Sequence, residues 1–255
     1  MLEHKYGEQI CILDHLTLTT LLNKLSRPET THPELGLLLK ASYEILLTET
    51  MNLYFHKEKV SSQTRMKSLH KEGVLVEQNL TSPDPVITVN LARAGTFPSQ
   101  ICFDYINLTL GSKACRQDHF YVNRKVDDKN RVVGVDCTGS KIGGPVENSL
   151  VLIPDPMGAT GGTICHVLDH YKSIGNIKQF IALHLIITPE YIIKVKEKHP
   201  ELIVVAGRID RGLSHPEILE TIPGTYIDKE KGLNENSYIV PGAGGVGELL
   251  NNAEY

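Results

Sequence analysis

Apolar positions along the chain alternate between helical and strand-like spacing, and the switches mark the expected elements. Leu35, Leu38, Leu39, Ile45 and Leu46 recur at helical spacing after Thr31-His32-Pro33-Glu34. That tetrapeptide reads as a helix start, with Thr31 as cap and Glu34 completing a capping box. Pro33 falls in the first turn, where its missing N–H costs little. The helix is predicted to run to about Tyr54. Before it, residues 1–30 read as an arm or a small helix around Leu16–Leu25. Residues 56–82 are polar and predict a loop or hairpin excursion. Val86–Leu91 reads as a buried strand. Gly95 breaks it, and a helix is predicted to begin near Phe97-Pro98. Short strands are expected at 120–122 and 132–135, either side of the charged stretch Arg124–Arg131. Residues 138–148, rich in Gly and Ser, read as a mobile loop.

The middle of the chain is the most regular. Ser149–Ile153 is an apolar strand, and Pro154–Gly162 is a loop with three glycines and two prolines. Ile164, Val167, Leu168 and Tyr171 then recur at i, i+3, i+4 and i+7, one helical face, which Gly175 ends. Phe180–Ile187 is a strand. Thr188-Pro189-Glu190 starts a helix with a cap, a first-turn proline and an acid facing the helix dipole. His199-Pro200 stops it, and Leu202–Ala206 is a further strand. Strands and helices alternating at these spacings predict parallel strands with right-handed crossovers. The expected fold class is α/β, a central mostly parallel sheet flanked by helices, in a single domain over residues 1–255.

Composition narrows the function. Hydrophobic residues make up 41% and charged residues 22% of 255, ordinary for a soluble globular protein. A net charge of −4 with no long basic run argues against general nucleic-acid binding. No apolar run reaches the roughly 18 residues of a membrane helix. The first residues lead into no apolar signal region. A cytoplasmic protein with no membrane partner is expected. The five cysteines are scattered without a Cys-x-x-Cys pair, against a disulfide framework or a zinc knuckle.

The loop Asp155-Pro156-Met157-Gly158-Ala159-Thr160-Gly161-Gly162-Thr163 lies between a strand and a helix. Such a loop presents backbone N–H groups at a helix N-terminus, where the dipole favours an anion. Gly161 and Gly162 permit close approach to a ligand, and Thr160 and Thr163 add hydroxyl donors. With no lysine at its end it is not a Walker A loop, and it lacks the Gly-x-Gly-x-x-Gly spacing of a dinucleotide site. Asp155, at the C-terminal end of the strand, would repel a phosphate but suits ribose hydroxyls or a metal. A loop that grips both a 5′-phosphate and a ribose fits phosphoribosyl pyrophosphate (PRPP). The same residues also suit a tight turn without a ligand, and spacing alone does not separate the two.

Pro154–Thr163 resembles the PRPP loop of the uracil phosphoribosyltransferase family, typically Asp-Pro-Met-x-Ala-Thr-Gly-Gly followed by Ser or Thr. Leu233-Asn234-Glu235-Asn236-Ser237-Tyr238-Ile239-Val240-Pro241-Gly242 is similar to its uracil-binding hood. Leu91-Ala92-Arg93-Ala94-Gly95 resembles its Leu-Arg-Ala-Gly pyrophosphate loop. His199-Pro200, a strand, and Ile209-Asp210-Arg211-Gly212-Leu213 make a fourth match in order. The resemblance implies a type I phosphoribosyltransferase fold with a C-terminal base-binding hood over residues 207–250. It implies transfer of the phosphoribosyl group from PRPP to uracil, giving UMP and pyrophosphate, as a step of pyrimidine salvage. Asp155 and Arg93 would be catalytic; Arg93, Arg124 and Asp155–Thr163 would bind PRPP. Tyr238, Ile239, Gly244, Gly245 and Val246 would surround uracil. Mg²⁺ would be held mostly by PRPP and water, not by a protein metal site. A homodimer or higher homo-oligomer is implied.

Three departures stand out. The family hood usually continues Pro-Gly-Leu-Gly-Asp-Ala-Gly-Asp, whereas Pro241-Gly242-Ala243-Gly244-Gly245-Val246-Gly247-Glu248 stands here. Gly245 thus takes the place of an acid. The family's Tyr-Arg-Asn-Glu-Glu aligns its arginine with Val122, and Arg124 lies two residues on, on the same strand face. About 20 extra residues follow Leu213, expected to reshape the base pocket or an oligomer contact. These departures keep open a catalytically silent PRPP- or nucleotide-binding homologue, or an enzyme for another base.

Overall fold

The computed structural model describes residues 1–126 and 132–253, with backbone alone for 123–126, 132, 133, 135 and 136. The remainder of the charged stretch, 127–131, lies outside the described residues. In chain order the elements are β1 (Ile10–Ile12), α1 (Leu16–Leu25), α2 (Glu34–Tyr54), β2 (His56–Gln63), β3 (Val74–Thr81), β4 (Val86–Ala92), α3 (Thr96–Leu110), β5 (Cys115–Val126), β6 (Val132–Lys141), β7 (Leu150–Pro154), β8 (Met157–Gly158), α4 (Gly162–Ile174), β9 (Gln179–Ile187), α5 (Pro189–Lys198), β10 (Ile203–Ile209), α6 (Pro216–Leu219) and α7 (Val246–Asn251). No helix among the described residues is long and apolar enough to cross a membrane.

The main sheet runs β1-β10-β9-β7-β4-β5-β6, with β8 added on β9. Every pairing is parallel except β5 with β6. Side chains of period two feed two cores. Leu152, Ile181, Leu183 and Val205 face α1, α2 and α3, while Val151, Ile153, Ala182 and Val204 face α4 and α5. The chain leaves β7 toward β9 and β10 through helices on one face, and leaves β4 toward β5 through a helix on the other. The direction of winding therefore reverses between β4 and β7. Ligands of open α/β sheets bind at such a switch point, outside the C-terminal strand ends.

Several expectations are corrected. In residues 1–30, read as an arm or a small helix around Leu16–Leu25, the helix is α1 over those residues; the segment before it is tied down, with Ile10–Ile12 pairing in parallel with Val204–Ala206 and Tyr6 wholly buried. Helix α2 begins later than expected, at Glu34: Pro33 is its N-cap and not a first-turn residue, and no side chain caps it. Thr31 contributes only its carbonyl, which accepts from Leu35 N–H at 2.9 Å. Residues 138–141, read as part of a mobile loop, belong to β6. The excursion at 56–82, expected as a loop or a hairpin, is the antiparallel hairpin β2–β3.

The insertion after Leu213 packs away from the cleft. Arg211 Nη1 donates to Glu230 Oε1 at 2.9 Å and to the Ile218 carbonyl at 3.0 Å; its Nη2 donates to the Leu219 carbonyl at 3.0 Å. Glu230 also accepts from Gly224 N–H at 2.8 Å and from the Tyr6 hydroxyl. Buried charges need partners of this kind. These contacts tie the insertion to the N-terminal segment.

Candidate active site

Two loops meet at the switch point. One leaves β4 as Arg93-Ala94-Gly95; its Ala92–Arg93 peptide is cis. The other leaves β7 at Asp155. Gly95 lets them approach: a Cβ there would lie 2.9 Å from the Leu91 carbonyl oxygen and 3.0 Å from that of Pro154.

The second loop is fastened along β9 at successive points. Asp155 N–H donates to the Leu183 carbonyl at 3.0 Å, and the Asp155 carbonyl lies 2.6 Å from His184 Nδ1. The Pro156 carbonyl accepts from both Leu185 and Ile186 N–H, at 3.0 and 3.1 Å. The Gly158 carbonyl accepts from Thr188 N–H at 3.1 Å, and the Ala159 carbonyl from Thr188 Oγ1 at 2.7 Å. Gly161, at φ 76°, then turns the chain into α4 as its N-cap. Only glycine takes that conformation freely. The unpaired N–H groups of the first turn of α4 belong to this loop's end.

The hood lies over the cleft. Asn234 Oδ1 accepts from Asn236 and Tyr238 N–H at 3.0 and 2.9 Å, an Asx turn that shapes Ser237–Ile239. Asp210, buried at the end of β10, receives Arg208 Nε at 2.6 Å and Gly242 N–H at 2.7 Å. Glu190, in the first turn of α5, accepts from Gly232 and Leu233 N–H at 3.0 Å each. The acid read as a partner of the helix dipole therefore also holds the start of the hood.

The cleft these elements enclose is about 280 Å³. Of the expected residues, Arg93, Asp155, Met157, Ala159, Thr163, Tyr238, Ile239, Gly244, Gly245 and Val246 line it. Within the same loop Pro156, Gly158 and Gly161 are buried, and Thr160 and Gly162 are half-buried. Val122 lines the cleft, whereas Arg124 pairs with Val135 on β5–β6 and its side chain lies outside the described residues. A register shift at Tyr121/Val122 bends the strand there. Ser237 and Glu248 line the cleft without having been expected in it. Glu248 Oε1 stands 3.5 Å from Arg93 Nη2, so the acid three residues past Gly245 does reach the cleft.

Beneath the loop, His184 was not anticipated either. Burial pushes its pKa down to about 4, against a smaller upward effect of its bond to the Asp155 carbonyl. A lone histidine in the apolar run Phe180–Ile187 carries no motif by which sequence could single it out. Thr188 was read only as a helix cap, which it is: its side chain accepts from Tyr191 N–H.

A parallel sheet with a phosphate-type loop after one central strand, a second loop at the switch point and a C-terminal hood defines the type I phosphoribosyltransferase fold. The AQ2163 protein from Aquifex aeolicus shares the fold at a TM-score of 0.72 and 21% identity, over 94% of this chain and 97% of that one. Adenine phosphoribosyltransferase from Leishmania tarentolae does so at 0.50 and 15%, over 81% and 94%. The family model described as uracil phosphoribosyltransferase matches residues 12–226, and the chain belongs to that family. The uracil phosphoribosyltransferase of Salinibacter ruber is 26% identical over 243 residues, 95% of this chain and 97% of that protein. That of Thermococcus kodakarensis is 35% identical over 98 residues, 38% of this chain, and the match spans only 34% of that relative's length.

Proposed function

We propose that the protein transfers the 5-phosphoribosyl group of PRPP to uracil, giving UMP and pyrophosphate, as a cytoplasmic salvage enzyme. The observation that carries this reading is the convergence of Arg93, the Asp155–Thr163 loop and the Tyr238–Glu248 hood on one cleft. In this reading the first turn of α4 and the Thr160 and Thr163 hydroxyls hold the 5′-phosphate. Asp155 meets the ribose hydroxyls. Arg93 gives its fork of donors to the pyrophosphate as the C1–O bond breaks and negative charge gathers there. The hood's main chain at Ile239 and Gly244 reads the carbonyl and N–H edge of the base, which rejects analogues lacking those groups.

The attacking atom is a base nitrogen, so no Ser or Cys nucleophile is required. Rate would come from alignment and from excluding water. Among the described residues no cluster of three or more His, Cys, Asp or Glu forms a metal cage. In the cleft the carboxylate of Asp155 fits a Mg²⁺ that arrives with PRPP and keeps mostly phosphate and water ligands. Such an ion would offset charge on the leaving pyrophosphate. The family resemblance further supports a homodimer or higher homo-oligomer, which sedimentation would test.

The experiment is labelled-uracil transfer with PRPP and Mg²⁺, beside cytosine, hypoxanthine and orotate, with PRPP binding measured by calorimetry. UMP from uracil alone supports the reading, and product from another base instead would reassign the substrate. A second reading is favoured by Val122 and Gly245, which line the cleft where the family pattern has an arginine and an acid. PRPP binding without product from any base would select that silent homologue.

A further inference from the structure

We propose that His184 is a positioning residue for the PRPP loop, setting Asp155 through its main chain; this rests on the phosphoribosyl-transfer reading above. The ring is wholly buried, on the side of β9 that faces α5. Its Nδ1 lies 2.6 Å from the Asp155 carbonyl oxygen, an atom that only accepts. Nδ1 therefore carries the proton. A neutral imidazole has one N–H, so Nε2 is the acceptor and receives the Tyr191 hydroxyl at 2.7 Å. The two rings also meet nearly edge to face, centroids 4.7 Å apart at 74°. Tautomer and ring plane are thus both fixed from the α5 side.

From this fixed ring the loop takes its shape at two points. One is the Asp155 carbonyl. Because Asp155 N–H is already bound to Leu183 at 3.0 Å, both main-chain polar groups of this residue are tied to β9. The direction in which its carboxylate leaves the backbone follows from that. The other point is Gly158, where an added Cβ would lie 3.2 Å from His184 Cγ and 2.8 Å from Ile187 Cγ2. The loop lies directly on the imidazole, and no larger residue fits between them. A leucine at position 184 would match the apolar neighbours Leu183 and Leu185 without any desolvation cost. What it would lack is a donor aimed at the loop. This buried polar side chain is thus explained by the atom it holds, not by packing.

Substitutions separate the two ring nitrogens. In His184→Asn the amide nitrogen falls near the place of Nδ1 and retains a donor to Asp155. In His184→Gln the amide falls nearer Nε2 and serves Tyr191 instead. His184→Leu serves neither. The readouts are the PRPP dissociation constant by calorimetry with Mg²⁺, the KM for PRPP and kcat for uracil transfer, and the melting temperature of each full-length variant. Positioning predicts that the Asn variant binds PRPP within about threefold of the parent. The Gln and Leu variants should weaken it about tenfold, the scale of one lost hydrogen bond, with the change in KM and not in kcat. All three should melt earlier. PRPP affinity that tracks melting temperature alone, with Asn and Gln alike, would overturn the role, as would parental affinity in all three. If Leu fails to fold, the Asn–Gln pair still decides. A parent protein that binds no PRPP would instead overturn the functional reading, and the role of His184 with it.

Discussion

Arg93 Nη2 and Glu248 Oε1 stand 3.5 Å apart across the mouth of the cleft, joining the loop after β4 to the first turn of α7. The pair is half-exposed on the arginine side, with 55% of the Arg93 side chain accessible, so it contributes little to folding. Its consequence is for binding. A pyrophosphate at Arg93 would have to compete with this carboxylate for the same guanidinium.

Glu248→Gln removes the competing charge and keeps the shape. Stability should change by less than about 1 kcal/mol. PRPP affinity should rise about two- to fivefold at low salt, with the gain shrinking as ionic strength rises. Calorimetric titration at two salt concentrations checks both parts. A fall in affinity would mean that Glu248 supports the ligand, for instance through its metal.

The depressed pKa of His184 makes a statement about acid stability. Its folded pKa of about 4 lies below the ordinary value of 6.5. Between these values the unfolded chain binds a proton that the folded chain refuses. The folded state therefore has its full advantage above pH 6.5 and loses it as pH falls toward 4, by on the order of 3 kcal/mol. Other groups titrate in this window, so the test compares the parent with His184→Asn. Urea midpoints measured from pH 7 to pH 4.5 should fall less steeply in the variant; parallel slopes would contradict the assignment.

Much of this architecture was legible because it is local. The β7–α4–β9–α5–β10 run follows period two and period 3.6 closely, and the glycine-rich loop falls where the periods switch. The failures were tertiary. Ile10-Cys11-Ile12 is too short to show a period and is a strand only because β10 offers an open edge. β5 was expected only over 120–122, but the strand already includes the polar residues Arg116, Gln117 and Asp118. They sit in a strand because Asp118, fully buried, is held by Arg116, by the Tyr171 hydroxyl at 2.8 Å and by Gly143 N–H at 2.8 Å. The glycine-rich loop and the hood could be read as motifs. The groups that hold them, His184, Thr188 and Asp210, act through contacts that no spacing encodes.

Glu230 carries a prediction for stability without function. Its carboxylate is fully buried and takes Arg211, Gly224 N–H and the Tyr6 hydroxyl. Glu230→Ala leaves the Arg211 guanidinium buried without its counter-charge, which costs about 3–5 kcal/mol. Chemical denaturation should show the loss as a lower midpoint. PRPP affinity below the unfolding transition should stay at the parental value, because none of these groups lines the cleft.

The last pair of substitutions, on neighbouring residues, separates binding from folding at the loop's end. Gly161 sits at φ 76°, and a Cβ there would lie 3.2 Å from Val195 Cγ1 and 3.3 Å from Lys194 Cβ on α5. Gly161→Ala must therefore both hold a left-handed backbone and push α5 away, a cost of about 1–3 kcal/mol. It should lower the melting temperature and PRPP affinity together, since the first turn of α4 moves with it. Thr160 has no such constraint: it is half-buried, beside Ala159, which lines the cleft. Thr160→Ala removes one hydroxyl donor to the 5′-phosphate and should weaken PRPP about tenfold, a charge-assisted hydrogen bond, with stability within about 0.5 kcal/mol of the parent. Calorimetry beside thermal unfolding decides. If Thr160→Ala binds PRPP as the parent does, the phosphate does not sit at this loop end, and the Asp155–Thr163 assignment fails with it.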